Sequence, residues 1–253
     1  MDKSIGFIGG GRITNIFLQA YINKGIELDS VFVHDTNPAV LKKLKEFYPF
    51  INQSELIETA KQEVVFIALH PPVIKDVLSE IKDVVTKDTI IISLAPKITI
   101  EKLSSALNNK NIVRMIPNAT SVINEGINPV CFSETCIYKK ELLDFLSELG
   151  YTFETEESKL EAYAIISAML PTYFWFQWKE IIDIGTQIGL SGSESNLAVQ
   201  KTLKASMNTL FKSTLSEKEI FDLIPVKPIG DHESEITEIY RKKLLGLFDK
   251  IKP

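Results

Sequence analysis

Cysteine is scarce in this chain of 253 residues, where only Cys131 and Cys136 occur. Two thiols do not make the disulfide framework of a small secreted protein, so this usage predicts two buried thiols in a reducing, cytoplasmic environment. Histidine is almost as scarce, with three residues, and none has the spacing to other ligands that a metal site requires. We therefore expect neither a disulfide nor a metal ion.

Long runs of one charge are also missing. The 28 basic and 33 acidic residues are dispersed and give a net charge of -5, so neither a nucleic-acid surface nor a polybasic membrane contact is predicted. The uncharged residues 162–178 are fewer than the roughly 20 that a membrane-spanning helix needs, and we interpret them as a buried helix. The first strand starts near the N-terminus, so no secretory leader is expected. The expected partners are small molecules or protein.

Three consecutive glycines form the most informative stretch. An apolar strand is predicted over residues 4–8, and the glycines and then a helix follow it directly. Glycine permits a tight turn and lets the backbone approach a pyrophosphate, while the start of a helix directs free N–H groups at the anion. This order predicts a dinucleotide site, and a plain turn is the alternative. The expected cofactor-binding residues here are Gly9, Gly10, Gly11, Arg12 and Ile13.

Two polar residues qualify this prediction. Thr14 stands where the Gly-x-Gly-x-x-Gly fingerprint has its third glycine, and we expect it to loosen the packing of helix against strand. Asp35 ends the second predicted strand, residues 30–34, where an acid binds the adenosine ribose and repels a 2'-phosphate. This arrangement favours NADH, although Thr36 beside it could still hold a phosphate. The predicted cofactor is NADH or NADPH, in contact with Asp35 and Thr36.

Apolar runs of strand length alternate with helical periods along the first 156 residues, which is typical of an α/β fold with a doubly wound, Rossmann-type parallel sheet. Ligands of such sheets bind at the carboxyl ends of the strands. Ala68, His70, Pro71 and Asn118 fall at these ends and are expected to contact the cofactor. His70 has an alternative role as the cap of the following helix. The further predicted strands are residues 64–69, 89–94, 111–115, 129–132 and 151–154.

The composition changes after a charged connector at residues 154–159, and the rest of the chain is predicted to be helical. The predicted domains are a dinucleotide-binding domain, residues 1–156, and an all-helical dimerisation and substrate domain, residues 157–253. The helical region at 160–190 is apolar on nearly every side in its first half, with a kink at Pro171. About a hundred residues are too few to cover it, so we expect a homodimer joined through the C-terminal helices.

Four short segments in the first half of the chain are informative when they are taken together. They are Ile-Gly-Phe-Ile-Gly-Gly-Gly at 5–11, Ala-Leu-His-Pro at 68–71, Arg-Met-Ile-Pro-Asn at 114–118 and Asn-Glu-Gly at 124–126. Together they resemble the pyrroline-5-carboxylate reductase family. The resemblance implies an NAD(P)H-dependent oxidoreductase acting on CH–NH groups, with a Rossmann domain, a helical dimerisation domain and an active site shared between subunits.

The second half departs from that family where the family holds its substrate. Its Ser-Gly-Ser-Gly-Pro-Ala-Tyr becomes Ser-Ala-Met-Leu-Pro-Thr-Tyr at 167–173, and its Ser-Pro-Gly-Gly-Thr-Thr loop becomes Lys-Pro-Ile-Gly-Asp-His at 227–232. By the resemblance, the expected catalytic residues are Tyr173, Lys227 and His232. Tyr173 has an alternative role as a core or interface aromatic residue, and His232 as a solvated surface residue.

Three functions remain open. The first is reduction of the C=N bond of a small cyclic imine acid, as in proline biosynthesis. The second is reduction of another imine or a ketone, for which His232 would be a suitable proton donor. The third is a protein that binds a dinucleotide without turnover. We expect an enzyme of the first or second kind.

Overall fold

The computed structural model describes residues 3–28 and 30–253, and the chain divides into two compact units. The first unit extends to Ala168 and includes Leu247–Pro253, and the second is Met169–Gly246. The predicted boundary after residue 156 precedes this division. The assignment of cofactor and dimerisation roles to residues 1–156 and 157–253 stays a prediction.

An eight-stranded sheet forms the centre of the first unit, with the strand order β3-β2-β1-β4-β5-β6-β7-β8. The chain runs outward from β1 to β3, returns to β4 on the other side of β1, and then continues to β8, so the order reverses between β1 and β4. The predicted α/β doubly wound fold is confirmed. The strands are β1 (Ile5–Ile8), β2 (Val31–His34), β3 (Asn52–Gln53), β4 (Val64–Ile67), β5 (Ile90–Ser93), β6 (Ile112–Met115), β7 (Gly126–Phe132) and β8 (Gly150–Glu154).

Two details of the sheet differ from the prediction. The short β3 was not predicted, because both of its residues are exposed and carry no apolar signal. β7 pairs antiparallel with β6, whereas all other pairs in the sheet are parallel. A parallel crossover needs a dozen or more residues, and the segment between β6 and β7 holds only a 3-10 turn at Ala119–Ile123.

Helices cover both faces of the sheet. Alternate residues of β4 enter different cores, with Phe66 in the core beneath α1, α2 and α6, and Val65 and Ile67 in the core beneath α3, α4 and α5. Strands buried on both faces explain the unbroken apolar runs in the sequence. The helices of this unit are α1 (Arg12–Asn23), α2 (Pro38–Phe47), α3 (Leu56–Ala60), α4 (Pro71–Ile81), α5 (Ile100–Leu107), α6 (Lys139–Ser147) and α7 (Leu160–Tyr163).

A buried ion pair joins the sheet to α7. Arg114 on β6 and Glu161 on α7 are both only 1% exposed, and an Arg114 guanidinium N–H donates to Glu161 Oε1. A second N–H of Arg114 donates to Glu157 Oε1 at 2.9 Å. Removing one member of such a pair leaves an uncompensated buried charge, which typically destabilises a protein by about 3–5 kcal/mol.

The second unit is helical throughout its regular structure. Its helices are α8 (Leu170–Gln187), α9 (Gly192–Lys212), α10 (Glu217–Asp222) and most of α11 (Glu233–Ile251). Capping boxes start α9 at Ser191 and α10 at Ser216, where the serine and a glutamate three residues later exchange hydrogen bonds with backbone N–H groups.

The expectation of a buried helix at residues 162–178 is wrong for a single chain. This stretch holds the end of α7, a π-helical turn at Ala164–Ala168, and the first half of α8, where Phe176 is 67% exposed. Pro171 lies in the first turn of α8, and the helical region is interrupted at Met169, between the π-helical turn and α8, close to the predicted kink. No helix in the described ranges is long and apolar enough to span a membrane.

Both cysteines are free. Cys136 is buried, whereas Cys131 is only partly buried, so the expectation of two buried thiols holds for one of them. Desolvation raises the pKa of both thiols, which disfavours the reactive thiolate and is typical of structural cysteines.

Candidate functional site

The turn after β1 has no room for any side chain at its first glycine. Gly9 has a φ of +106°, and a Cβ there would lie 2.5 Å from the carbonyl oxygen of Ala68, which follows β4. The Gly9 N–H donates to the His34 carbonyl at the end of β2 (2.8 Å), and the Ala68 N–H donates to Ile8 at 2.9 Å. The turn is therefore held between the ends of β2 and β4, at the point where the strand order reverses.

Gly11, at the end of this turn, faces open space. A Cβ at this position would have no heavy atom within 4 Å, and the residue is exposed at the N-cap of α1. No side chain caps the helix there and its first turn holds no acidic residue. Its first N–H groups are thus available to an anion. This arrangement fits the pyrophosphate of a dinucleotide, with Arg12 exposed beside it and Ile13 packed against the core.

Asp35 has a role in the turn that the sequence did not suggest. Its Oδ2 accepts from the Gly10 N–H at 2.9 Å and its Oδ1 from the Asn37 N–H at 2.8 Å. The carboxylate therefore fastens the glycine turn to the end of β2. Each oxygen retains a lone pair for a ribose hydroxyl, and Thr36 is exposed next to it.

Thr14 does not loosen the packing of α1 against β1, and that expectation is wrong. The residue is fully buried, and its hydroxyl donates to the Gly9 carbonyl at 2.5 Å. A threonine is accepted in place of glycine because the turn itself supplies an acceptor for the buried hydroxyl.

The predicted residues at the ends of β4 and β6 differ in their availability to a ligand. His70 is exposed at the N-cap of α4, but its ring makes no capping hydrogen bond, so the capping alternative is wrong. Pro71 is the first residue of that helix. Asn118 is only 4% exposed. Its Oδ1 accepts from the N–H and hydroxyl of Thr120, while its Nδ2 donates to the Ser167 carbonyl at 3.2 Å, which leaves one amide N–H for a ligand.

The three expected catalytic residues have different surroundings within the second unit. Tyr173 on α8 packs edge-on against Tyr240, with the ring centroids 6.2 Å apart, and lines a cavity of about 470 Å³. The pKa of Tyr173 is raised, mainly by desolvation and to a smaller extent by the electrostatic effect of Tyr240. Lys227 lines a separate apolar groove of about 760 Å³. His232 lines neither space, and its Nδ1 lies 3.3 Å from Glu235 Oε2 on the surface. Neither of these two spaces is therefore lined by all three residues.

Lys97, which sequence analysis missed, stands out at the carboxyl end of β5. It has a φ of +73°, a left-handed conformation that costs a non-glycine residue about 1–2 kcal/mol. Its N–H donates to Glu161 Oε1 at 3.2 Å, while its side chain is exposed. Its sequence signal was a cation four residues after a buried strand, but the positive φ has no local signature.

Comparisons with known proteins agree with this geometry. The family described as NADP oxidoreductase, coenzyme F420-dependent, matches residues 4–97. The pyrroline-5-carboxylate reductase of Corynebacterium melassecola is 25% identical over 253 residues, covering 97% of this chain and 93% of that protein. That of Escherichia coli K12 is 31% identical over 134 residues, covering 51% of this chain and 49% of that protein.

A solved structure shares the fold along nearly the whole chain. It is the Plasmodium falciparum pyrroline carboxylate reductase with NADP bound, which superposes with a TM-score of 0.80 at 23% identity. The superposition covers 99% of this chain and 95% of that one.

We predict that Gly11→Ala weakens cofactor binding without destabilising the fold, whereas Gly9→Ala destabilises the fold. Gly11→Ala puts a methyl group where a phosphate is expected, so the Kd for NADH should rise by about 10-fold or more, with the free energy of unfolding within about 0.5 kcal/mol of wild type. Gly9→Ala should lower that free energy by about 1–3 kcal/mol, because its backbone and the Ala68 carbonyl exclude a Cβ. Fluorescence titration measures the Kd for NADH, and urea unfolding measures the free energy of unfolding. Unchanged NADH binding by Gly11→Ala would contradict the assignment of Gly11 to the phosphate site.

Proposed function

We propose, since this chain belongs to the pyrroline-5-carboxylate reductase family, that it uses NADH or NADPH to reduce the C=N bond of 1-pyrroline-5-carboxylate. The observation that carries the cofactor half of this proposal is the open space at Gly11 in front of the uncapped start of α1. The substrate half is carried over from the similar proteins, which are pyrroline-5-carboxylate reductases.

The bound nicotinamide would supply a hydride, and this chain's residues would mainly bind and orient. The N–H groups at the start of α1 would hold the pyrophosphate. Asp35, which accepts from the Gly10 N–H, would also bind the ribose. The iminium nitrogen of a cyclic imine is already cationic, so positioning dominates over acid–base chemistry. We further propose that Tyr173, Lys227 and His232 contact the substrate.

We also propose a homodimer formed through the C-terminal helices, in a cytoplasmic protein. Many large apolar side chains of the second unit are exposed, among them Phe176 at 67% and Phe211 at 77%. The apolar groove lined by Lys227 runs between α9, α10 and the loop that follows α10. Apolar surface on this scale is typical of a protein interface, and a second copy of the same unit offers a matching surface.

The activity is tested by the oxidation of NADH and NADPH with pyrroline-5-carboxylate. We expect turnover on the order of 1 per second or faster, with Gly11→Ala as the matched variant of impaired cofactor binding. Several keto acids are assayed in parallel. Tight dinucleotide binding with no turnover of the imine would contradict the proposal, and turnover of a keto acid alone would replace it with the ketone alternative.

We predict that NADH is preferred over NADPH. A 2'-phosphate would meet the carboxylate of Asp35, which two backbone N–H groups hold in place. We expect kcat/KM to favour NADH by about 10-fold or more, equivalent to about 1.4 kcal/mol. Asp35→Ser should reduce this ratio and also weaken both cofactors, because the Gly10 N–H loses its acceptor. The control is Asp88→Ser, an exposed acid before β5. The prediction would be contradicted if the ratio of kcat/KM for NADH to kcat/KM for NADPH were the same in wild type and in Asp35→Ser.

The dimer predicts a mass in solution of twice the chain mass of 28.5 kDa. Phe176→Asp on α8 should shift the protein toward the monomer, because a charge buried in an apolar interface is costly. Phe47→Asp is the matched control, since Phe47 is 63% exposed in the first unit. Light scattering after size-exclusion chromatography measures the mass. A monomeric wild type at micromolar concentration would contradict the dimer.

A further inference from the structure

Lys97 lies at the part of the sheet edge where the reacting end of a dinucleotide belongs. The strand order reverses between β1 and β4, and a dinucleotide crosses the sheet edge at such a point. Asp35 follows β2, so the adenosine half lies on the β2 side of β1. The nicotinamide half then extends toward the ends of β4 and β5, and Lys97 follows β5 by four residues.

The backbone of Lys97 is held by the buried ion pair. Its N–H donates to Glu161 Oε1, the same oxygen that accepts from Arg114. The nearby Ile100 N–H donates to Glu157 Oε1 at 2.7 Å, and Glu157 also pairs with Arg114. The loop after β5 is therefore fastened at two points to buried or partly buried carboxylates, which fixes where the Lys97 side chain begins.

The ammonium group of Lys97 remains available. The side chain is exposed, and Nζ has no carboxylate partner in the part of the chain that the structure describes. Glycine would adopt a φ of +73° without strain, yet the chain carries a cation here. A strained residue at the edge of a ligand crevice is typical of a side chain with a function.

We propose that Lys97 binds the carboxylate of the imine substrate and so positions the C=N bond beside the nicotinamide. This inference rests on the proposed function. A lysine ammonium offers three N–H donors and a full charge to a carboxylate, which forms short, charge-assisted hydrogen bonds. The carboxylate is unchanged by the reaction, so Lys97 is a positioning residue and takes no part in proton or hydride transfer.

Lys97→Met tests this, because methionine keeps the chain length and the backbone demand while removing the charge. The KM for pyrroline-5-carboxylate should rise by about 10-fold or more, while the KM for NADH and the melting temperature stay close to wild type. Lys97→Arg should restore most of the affinity. With 1-pyrroline, the same ring without a carboxylate, wild type and Lys97→Met should have equal kcat/KM.

The matched control is Lys87→Met, an exposed lysine before the opposite end of the same strand, which should change neither KM. An equal loss with 1-pyrroline, a raised KM for NADH, or an unchanged KM for pyrroline-5-carboxylate would each overturn the inference.

Failure of the proposed function is distinguishable from failure of this inference. If wild type does not reduce pyrroline-5-carboxylate, calorimetric binding of L-proline to the protein with NAD⁺ is compared with that of Lys97→Met. Weaker binding by the variant supports a carboxylate site at Lys97. Equal binding, or none by either protein, overturns it.

Discussion

The ion pair between Arg114 and Glu161 connects the parts of the first unit that matter for its site. Arg114 comes from β6, an inner strand of the sheet, and Glu161 from the helix α7 after the last strand, and both are removed from water. Glu161 also accepts the backbone N–H of Lys97. The loop after β5 therefore takes its conformation from a charge pair in the core, where low polarity makes the loss of one partner costly.

A second set of contacts shapes the glycine turn. Gly9 is required by the fold, because the Ala68 carbonyl leaves no space for a side chain, whereas Gly11 has open space in front of it. Asp35 and Thr14 hold the turn from either side through Gly10 and Gly9. A loop fastened in this way presents its N–H groups in one arrangement, which lowers the cost of binding a phosphate.

The second unit, by contrast, exposes many apolar side chains and does not bring its candidate residues together in the same surroundings. Its exposed apolar side chains and separate cavities leave Tyr173, Lys227 and His232 in three different surroundings. A homodimer would cover the apolar surface, and the substrate half of the site is then expected to depend on the assembled form.

Apart from β3 and α3, the sequence alone determined the strands and helices of the first unit, the doubly wound sheet and the place of the glycine turn, because apolar periodicity and turn chemistry are local properties. Tertiary structure decided the antiparallel β7, the acceptor for Thr14, the bond between Asp35 and Gly10, and the conformation of Lys97. These depend on residues far apart in the chain: Lys97 and Glu161 are separated by 64 positions. No periodicity or motif records such a pairing, since only the folded sheet brings the two groups within hydrogen-bonding distance.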